Sequence, residues 1–232
     1  MNRRTLDFIF AGGGVLIGVL LLVFGFVLAD QASFAKTYVK SELGQQKITF
    51  TAADQLKPEE KVWKPGSTCL AENGGKLMET GKQAECYATY YIAMHMDTSA
   101  KTAGYEGATY ATMGAVQTAL RADVAAAKTK NDTAAADAAQ KKLDAATSLR
   151  STFQTGETLR GLLLTSYGFS IFGEKAGMVS NVAYVAAALL VLLGVAGFVH
   201  AIRTPREKWI GVPATATNPG VSPGRTTPSG AK

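Results

Sequence analysis

The chain has 232 residues, of which 47% are hydrophobic, and its 24 basic and 18 acidic side chains give a net charge of +6. This excess is unevenly distributed, because residues 1–29 and 30–177 each carry +1, whereas residues 178–232 carry +4. The central segment therefore has no basic field that could follow a phosphate backbone. Nucleic acid is excluded as an expected partner on this ground.

A first transmembrane helix is predicted for residues 8–29, an uncharged run of 22 residues behind a short, arginine-containing segment, residues 1–7. The run ends in Val27-Leu28-Ala29, so a cleaved signal peptide is the alternative. A signal h-region spans only about 7–15 residues, and this favours an uncleaved anchor. Gly14 and Gly18 have the spacing that permits close packing of membrane helices, with the chain's second span or with a partner.

The segment from residue 30 to residue 177 is long enough to form a small domain with its own core. Helical spacing continues out of the first span to about residue 46, and the alternating KITFT at residues 47–51 predicts a short extended piece. Pro58, followed by two acidic residues, predicts a helix start. Thr80 and Gln83 have the spacing of a capping box, which predicts another.

The chain has two cysteines, Cys69 and Cys86, and both lie in this central segment. If the segment is outside the cytoplasm, a disulfide between them is the expected state. A zinc site usually requires four ligands, and the pair does not have the C-x-x-C spacing of a redox motif. The two cysteines are therefore predicted to form a structural disulfide.

The helix that begins near Thr80 carries Tyr87, Tyr91 and Met94 at successive turns, and these are expected to form part of the core. Next to them, Met94, His95 and Met96 are weak candidate metal ligands, because thioether and imidazole groups suit Cu(I). Consecutive helical residues point about 100° apart and do not converge on one ion. We therefore predict no metal site and no cofactor.

An alanine-rich antiparallel helical hairpin is predicted for residues 110–155, from two runs of apolar residues at helical spacing. Asp132 lies between the runs and can cap the second helix. A joint is expected at Thr155-Gly156. The apolar run at residues 161–173 is too short to span a bilayer, and it is predicted to lie at the outer membrane interface.

A second transmembrane helix is predicted for residues 178–202, within an uncharged stretch of 27 residues that begins at Ala176. A helix of that length measures about 40 Å, against a bilayer core of about 30 Å. Basic residues follow it directly, in a tail at residues 203–232 that is expected to be disordered. The positive flanks place both termini in the cytoplasm and residues 30–177 outside it, in a two-pass protein of the cell membrane.

The run GETLRGLLL at residues 156–164, followed by YGF at 167–169, resembles a family of uncharacterised two-span membrane proteins from actinobacteria. The resemblance implies two spans that enclose an extracytoplasmic domain. Some relatives carry the label of an aromatic ring-opening dioxygenase, a chemistry that uses iron held by two histidines and a carboxylate. The chain has only His95 and His200, which the predicted topology separates across the membrane, so no catalytic residue is carried over.

These features together predict an all-α membrane protein that contains two transmembrane helices and a mostly helical extracytoplasmic domain. Its expected function is that of an anchored structural or interaction protein, an accessory or assembly subunit of the cell envelope. The expected partners are the lipid bilayer and another membrane protein or a second copy of the chain. A sensor or signal-relay component is the first alternative, and an enzyme built on His95 and nearby acids such as Glu85 is the second. The sequence shows no catalytic motif of a known class.

Overall fold

The computed structural model describes residues 3–205, and this part of the chain is helical, without extended strands. Seven α-helices follow one another: α1 (Arg3–Gln45), α2 (Pro58–Val62), α3 (Thr68–Glu72), α4 (Gly81–Cys86), α5 (Ala93–Thr102), α6 (Tyr110–Thr129) and α7 (Thr133–Arg203). A π-helical segment, Tyr87–Ile92, joins α4 to α5. The predicted all-α fold is confirmed, and most of the described tail, beyond residue 205, lies outside these residues.

Helices α1 and α7 each contain a stretch long and apolar enough to cross a membrane. Within either stretch only 17% of the residues are buried, and side chains such as Leu16, Leu20 and Leu193 are more than half exposed. A surface of this kind is stable in a hydrocarbon environment and unfavourable in water.

The chain divides into two compact units, which are described separately. The first takes in Met1–Val23 and Ala183–Lys232, of which residues 3–23 and 183–205 are described. Its two helical stretches pack through small residues. A Cβ atom built on Gly18 would lie 2.8 Å from a methyl carbon of Val191, and one built on Gly194 would lie 3.0 Å from the carbonyl oxygen of Ala11. Larger side chains at these positions would push the helices apart.

The second unit, Phe24–Val182, has a continuous hydrophobic core. Leu70, Met78 and Met113 are its largest fully buried apolar side chains, and Phe153 joins them from α7. Local signals start the helices as predicted: Thr80 accepts from the backbone N–H of Gln83 in a capping box, and Asp132 accepts from that of Ala135. The predicted extended piece pairs with a neighbouring segment through one antiparallel bridge, Thr49 to Leu77.

The joint predicted at Thr155-Gly156 is wrong, because α7 runs without interruption from Thr133 to Arg203. This stretch of sequence contains no proline, so no residue forces the helix to end. Gly156 is helical because the thioether of Met96 packs directly on its backbone. The ranges 161–173 and 178–202 are therefore parts of one helix, and their positions in a bilayer stay predictions.

The tyrosine stripe also differs from the prediction. The π-helical turn widens the local repeat, so that the ring of Tyr91 stacks on Tyr87 at 4.6 Å and on His95 at 4.2 Å. Met94 is buried away from this stack. The stripe is thus Tyr87, Tyr91 and His95, with Tyr87 and Tyr91 packed against the core of the unit.

Candidate functional site

The candidate site is built on the parts of α1 and α7 that lie in the second unit, where the two helices meet through glycine and alanine. A Cβ atom built on Gly173 would lie 2.7 Å from the Cβ of Ala35, and one on Gly177 would lie 3.5 Å from that of Ala32. The spacing of four residues puts both glycines on one face of α7. The two backbones therefore approach closely, and the side chains on either flank of this contact form two different surfaces.

One flank is a groove of about 530 Å³, lined by residues 32–40 of α1, residues 79–81, and residues 170–177 of α7. Its floor is apolar, formed by small side chains such as Ala32 and by the glycines of α7, with Val39 beside them. Its rim is charged. A mostly apolar cavity of this size with few polar groups is typical of a small-molecule binding site.

The rim of the groove carries two lysines and two glutamates. Lys40 Nζ lies 3.7 Å from Glu79 Oε2 in an ion pair. Lys36, on α1, and Glu174, on α7, line the same groove, and neither has an ion-pair partner within 4.0 Å among residues 3–205. The groove is therefore neutral overall and presents one uncompensated charge of each sign.

The other flank is an aromatic face, which consists of Phe34, Tyr38, Phe169 and Phe172. The ring of Phe169 makes edge contacts with Phe34 at 6.4 Å and with Tyr38 at 6.1 Å, and these two stack on each other at 5.6 Å. All four side chains are exposed, Phe172 to 78%. The face continues along α7 to the exposed Leu162 and Leu159.

A histidine–carboxylate pair lies elsewhere in the second unit. His95 Nε2 is 3.9 Å from Glu60 Oε1, while His95 Nδ1 lies 2.9 Å from the carbonyl oxygen of Tyr91. Glu60 is buried, and its other oxygen accepts a hydrogen bond from the backbone N–H of Lys57. The acid beside His95 is thus Glu60 and not Glu85. This pair orients an imidazole, but the groups around it are aromatic rings and backbone carbonyls.

The weak metal candidates do not come together, because Met94 and Met96 are buried and His95 is exposed. Met96 packs against Gly156, in the core. Within the described range 3–205, no cluster of three or more His, Cys, Asp and Glu side chains could hold a metal ion. The predicted disulfide is present, and it joins Cys69 and Cys86 with a Cα–Cα distance of 6.2 Å.

The membrane-packing candidates, Gly14 and Gly18, face the chain's own second apolar stretch. Gly18 packs on Ala187 and Val191, and a Cβ on Gly14 would lie 3.8 Å from the carbonyl oxygen of Leu190. Of the two readings of this glycine pair, the structure therefore supports packing within the chain. Association with a partner through other faces of these helices stays a prediction.

Sequence reasoning missed a notch of about 290 Å³ in the first unit, which Asp7 and His200 line together with Gly14, Gly194 and Gly197. Asp7 Oδ2 is enclosed and has no hydrogen-bond partner within the described part of the chain. Sequence reasoning also missed the groove, although Lys36 and Lys40 and the glycines 173 and 177 share the spacing of four residues. That spacing marks a common face but does not say what the face meets.

No protein-family model matches the chain, and comparisons with curated proteins and with solved structures find no match either. The resemblance carried by residues 156–164 and 167–169 therefore stays a prediction.

Proposed function

We propose that the chain is a two-pass membrane protein with both termini in the cytoplasm, and that its helical domain acts outside the cytoplasm as an accessory or assembly subunit. The observation that carries this proposal is the apolar stripe on α7 that runs from Leu159 through Leu162 and Phe169 to Phe172. All four side chains are exposed. A soluble surface rarely presents such a continuous apolar strip unless it is covered by a partner.

The length of the stripe supports a protein partner in addition to lipid. Phe172 and Leu159 are 13 residues apart, which is about 20 Å along a helix. If the bilayer core begins near residue 178, Phe172 lies about 9 Å and Leu159 about 29 Å beyond it. The headgroup layer is only about 5–8 Å thick on each side. Lipid can therefore cover the lower end of the stripe, and the upper end needs a partner.

Site-specific photocrosslinking in intact cells tests this proposal. A photoreactive phenylalanine analogue at Leu162 is expected to give one discrete protein adduct, and the same analogue at the exposed Lys141 of α7 serves as the control. Leu162→Glu should abolish the complex recovered in mild detergent while the chain stays folded. The proposal fails if Leu162 gives no protein adduct, or if Leu162→Glu leaves the complex intact.

The membrane topology has a separate test. Single cysteines placed at Asn131 and at Pro213, in a chain that keeps its disulfide, should react differently with a membrane-impermeant maleimide. Labelling of position 131 in intact cells, and of position 213 only after permeabilisation, is the expected pattern. Labelling of position 131 only after permeabilisation would contradict the topology.

A signal relay is the second candidate, because a single helix, Thr133–Arg203, contains both the second arm of the hairpin and the predicted second span. A relay that reports through its tail requires residues 211–232, whereas an assembly subunit held from outside does not. Deleting these residues and measuring recovery of the crosslinked complex separates the two. Full recovery supports assembly, and loss of the complex supports the relay.

A further inference from the structure

We propose that the groove binds the headgroup of a zwitterionic phospholipid, with the phosphate on Lys36 and the ammonium group on Glu174. The proposal rests on the membrane placement under Proposed function, but it does not depend on the accessory role. It assigns the groove a ligand of defined chemistry, a lipid with a phosphate and a primary amine in its headgroup.

The charges of the groove select for a ligand that carries both signs. Lys40 and Glu79 are already paired, at 3.7 Å, so Lys36 and Glu174 supply the remaining interactions. A purely anionic ligand would be attracted to Lys36 and repelled by Glu174, and a purely cationic one would meet the reverse. A zwitterion can satisfy both groups at once, and charged hydrogen bonds are the stronger kind.

The floor and the position of the groove favour a lipid over a free zwitterion. Its floor is apolar, and its lower end lies at Ala32 and Gly177, which directly adjoin the predicted spans 8–29 and 178–202. Lys36 lies about 10 Å and Glu174 about 6 Å along their helices from these spans. This is close to the depth of the headgroup layer, so a lipid could enter the groove without leaving the bilayer.

The small residues of the helix contact keep the groove open. Gly173 meets Ala35 and Gly177 meets Ala32, so no side chain from the contact line rises into the space between Lys36 and Glu174. The hydroxyl groups of Ser33 and Ser170 line the same groove and can donate to phosphate oxygens. The phosphate thus has a charged donor and neutral donors within one site.

Native mass spectrometry of the full-length chain tests the proposal. The chain is delipidated in detergent and offered equal amounts of phosphatidylethanolamine and phosphatidylglycerol. One phosphatidylethanolamine per chain is expected to be retained, in preference to phosphatidylglycerol. Lys36→Gln and Glu174→Gln should each lower its retention by about three- to fivefold, the range of an exposed ion pair.

The two variants should change the selectivity in opposite directions. Glu174→Gln leaves a surplus positive charge, so the ratio of phosphatidylethanolamine to phosphatidylglycerol should fall, whereas Lys36→Gln should raise it. The matched control is Asp137→Asn with Lys141→Gln, which removes one charge of each sign from an exposed part of α7. Retention of wild-type lipid in both groove variants, a shift of the ratio in one direction for both, or an equal effect in the control would overturn the proposal. None of these outcomes depends on the adducts formed at Leu162.

Discussion

The hydroxyl group of Ser180, on α7, donates a hydrogen bond of 2.8 Å to the backbone carbonyl oxygen of Gly25, on α1. Both residues are buried, and Ser180 is only 1% exposed. Gly25 has no side chain to keep the hydroxyl away from its backbone. The bond therefore joins two helices that otherwise meet through apolar contacts, which have no directional preference.

Ser180→Ala should lower the free energy of unfolding by about 0.5–1.5 kcal/mol, the usual range for a hydrogen bond between helices in an apolar environment. The measurement is unfolding of the full-length chain in mild detergent by added denaturing detergent, followed by circular dichroism. Ser166→Ala is the control, because its hydroxyl bonds to the Leu162 carbonyl oxygen of its own helix. Equal effects for both substitutions would mean that the bond to Gly25 adds nothing to helix pairing.

The glycines of α1 differ sharply in what surrounds them, and this predicts a contrast between two variants. A Cβ on Gly18 would lie 2.8 Å from Val191, whereas a Cβ on Gly13 has no neighbour within 4 Å. Gly18→Val should destabilise the helix pair by about 1–3 kcal/mol, because overpacking forces the backbones apart. Gly13→Val introduces the same side chain into the same helix and should cost far less. A disulfide trap between cysteines at Val15 and Gly194 reports on the pairing; similar trapping yields for both variants would contradict the prediction.

Helix starts could be predicted from sequence because their hydrogen bonds form within three or four residues. The side chains of Thr80 and Asp132 each accept from a backbone N–H three positions later, so the pattern is complete in the local sequence. The disulfide was predictable for a different reason, since two cysteines allow only one pairing.

Contacts between residues that are distant in sequence could not be predicted in this way. Gly156 looked like a joint because glycine disfavours a helix by about 1 kcal/mol, and only the packing of Met96, 60 residues earlier, keeps it helical. The groove has the same origin. Lys36 and Glu174 are 138 residues apart, and they share a groove because small residues bring α1 and α7 together.

The disulfide makes a prediction about two cysteines that differ in burial. Bonding Cys69 to Cys86, 17 residues apart, should stabilise the domain by about 3 kcal/mol on the chain-entropy model. Cys69→Ala should lose about this amount, as should reduction of the wild-type chain. Cys86→Ser should lose about 1–2 kcal/mol more than Cys69→Ser, because Cys86 is only 2% exposed and the new hydroxyl would be buried. Chemical unfolding with and without reductant measures both effects, and identical losses for the two serine variants would contradict the second.

Tyr87 predicts a loss of stability in alkali. Burial, followed by the neighbouring Tyr91, raises the pKa of Tyr87 from 10.0 to about 12 in the folded chain. Between these pH values the unfolded chain releases this proton and the folded chain keeps it, so the unfolded state binds fewer protons and stability falls as the pH rises. Below pH 10 the group has no such effect. Tyr87→Phe should flatten the fall between pH 10 and 12, and the late part of the tyrosinate absorbance titration should disappear. A titration curve that loses amplitude evenly at all pH values would contradict the assignment.

Arg150 stabilises the helical hairpin by contacting two groups on α6. Its Nη1 donates to the side-chain oxygen of Gln117 at 2.9 Å, and its guanidinium lies over the ring of Tyr110, 4.4 Å from the centroid. Gln117 is only 3% exposed, and its amide nitrogen donates in turn to Thr147 Oγ1 at 3.0 Å.

Arg150→Leu should therefore cost about 1–3 kcal/mol, because it leaves the buried oxygen of Gln117 without a donor. Adding Gln117→Leu removes that oxygen, so the double variant should be less destabilised than the sum of the single variants. Their difference measures the coupling between the two side chains. Thermal unfolding of the four chains completes the cycle. Strict additivity would mean that Arg150 acts mainly through Tyr110, and a further Tyr110→Leu variant would then show the coupling that Gln117 lacks.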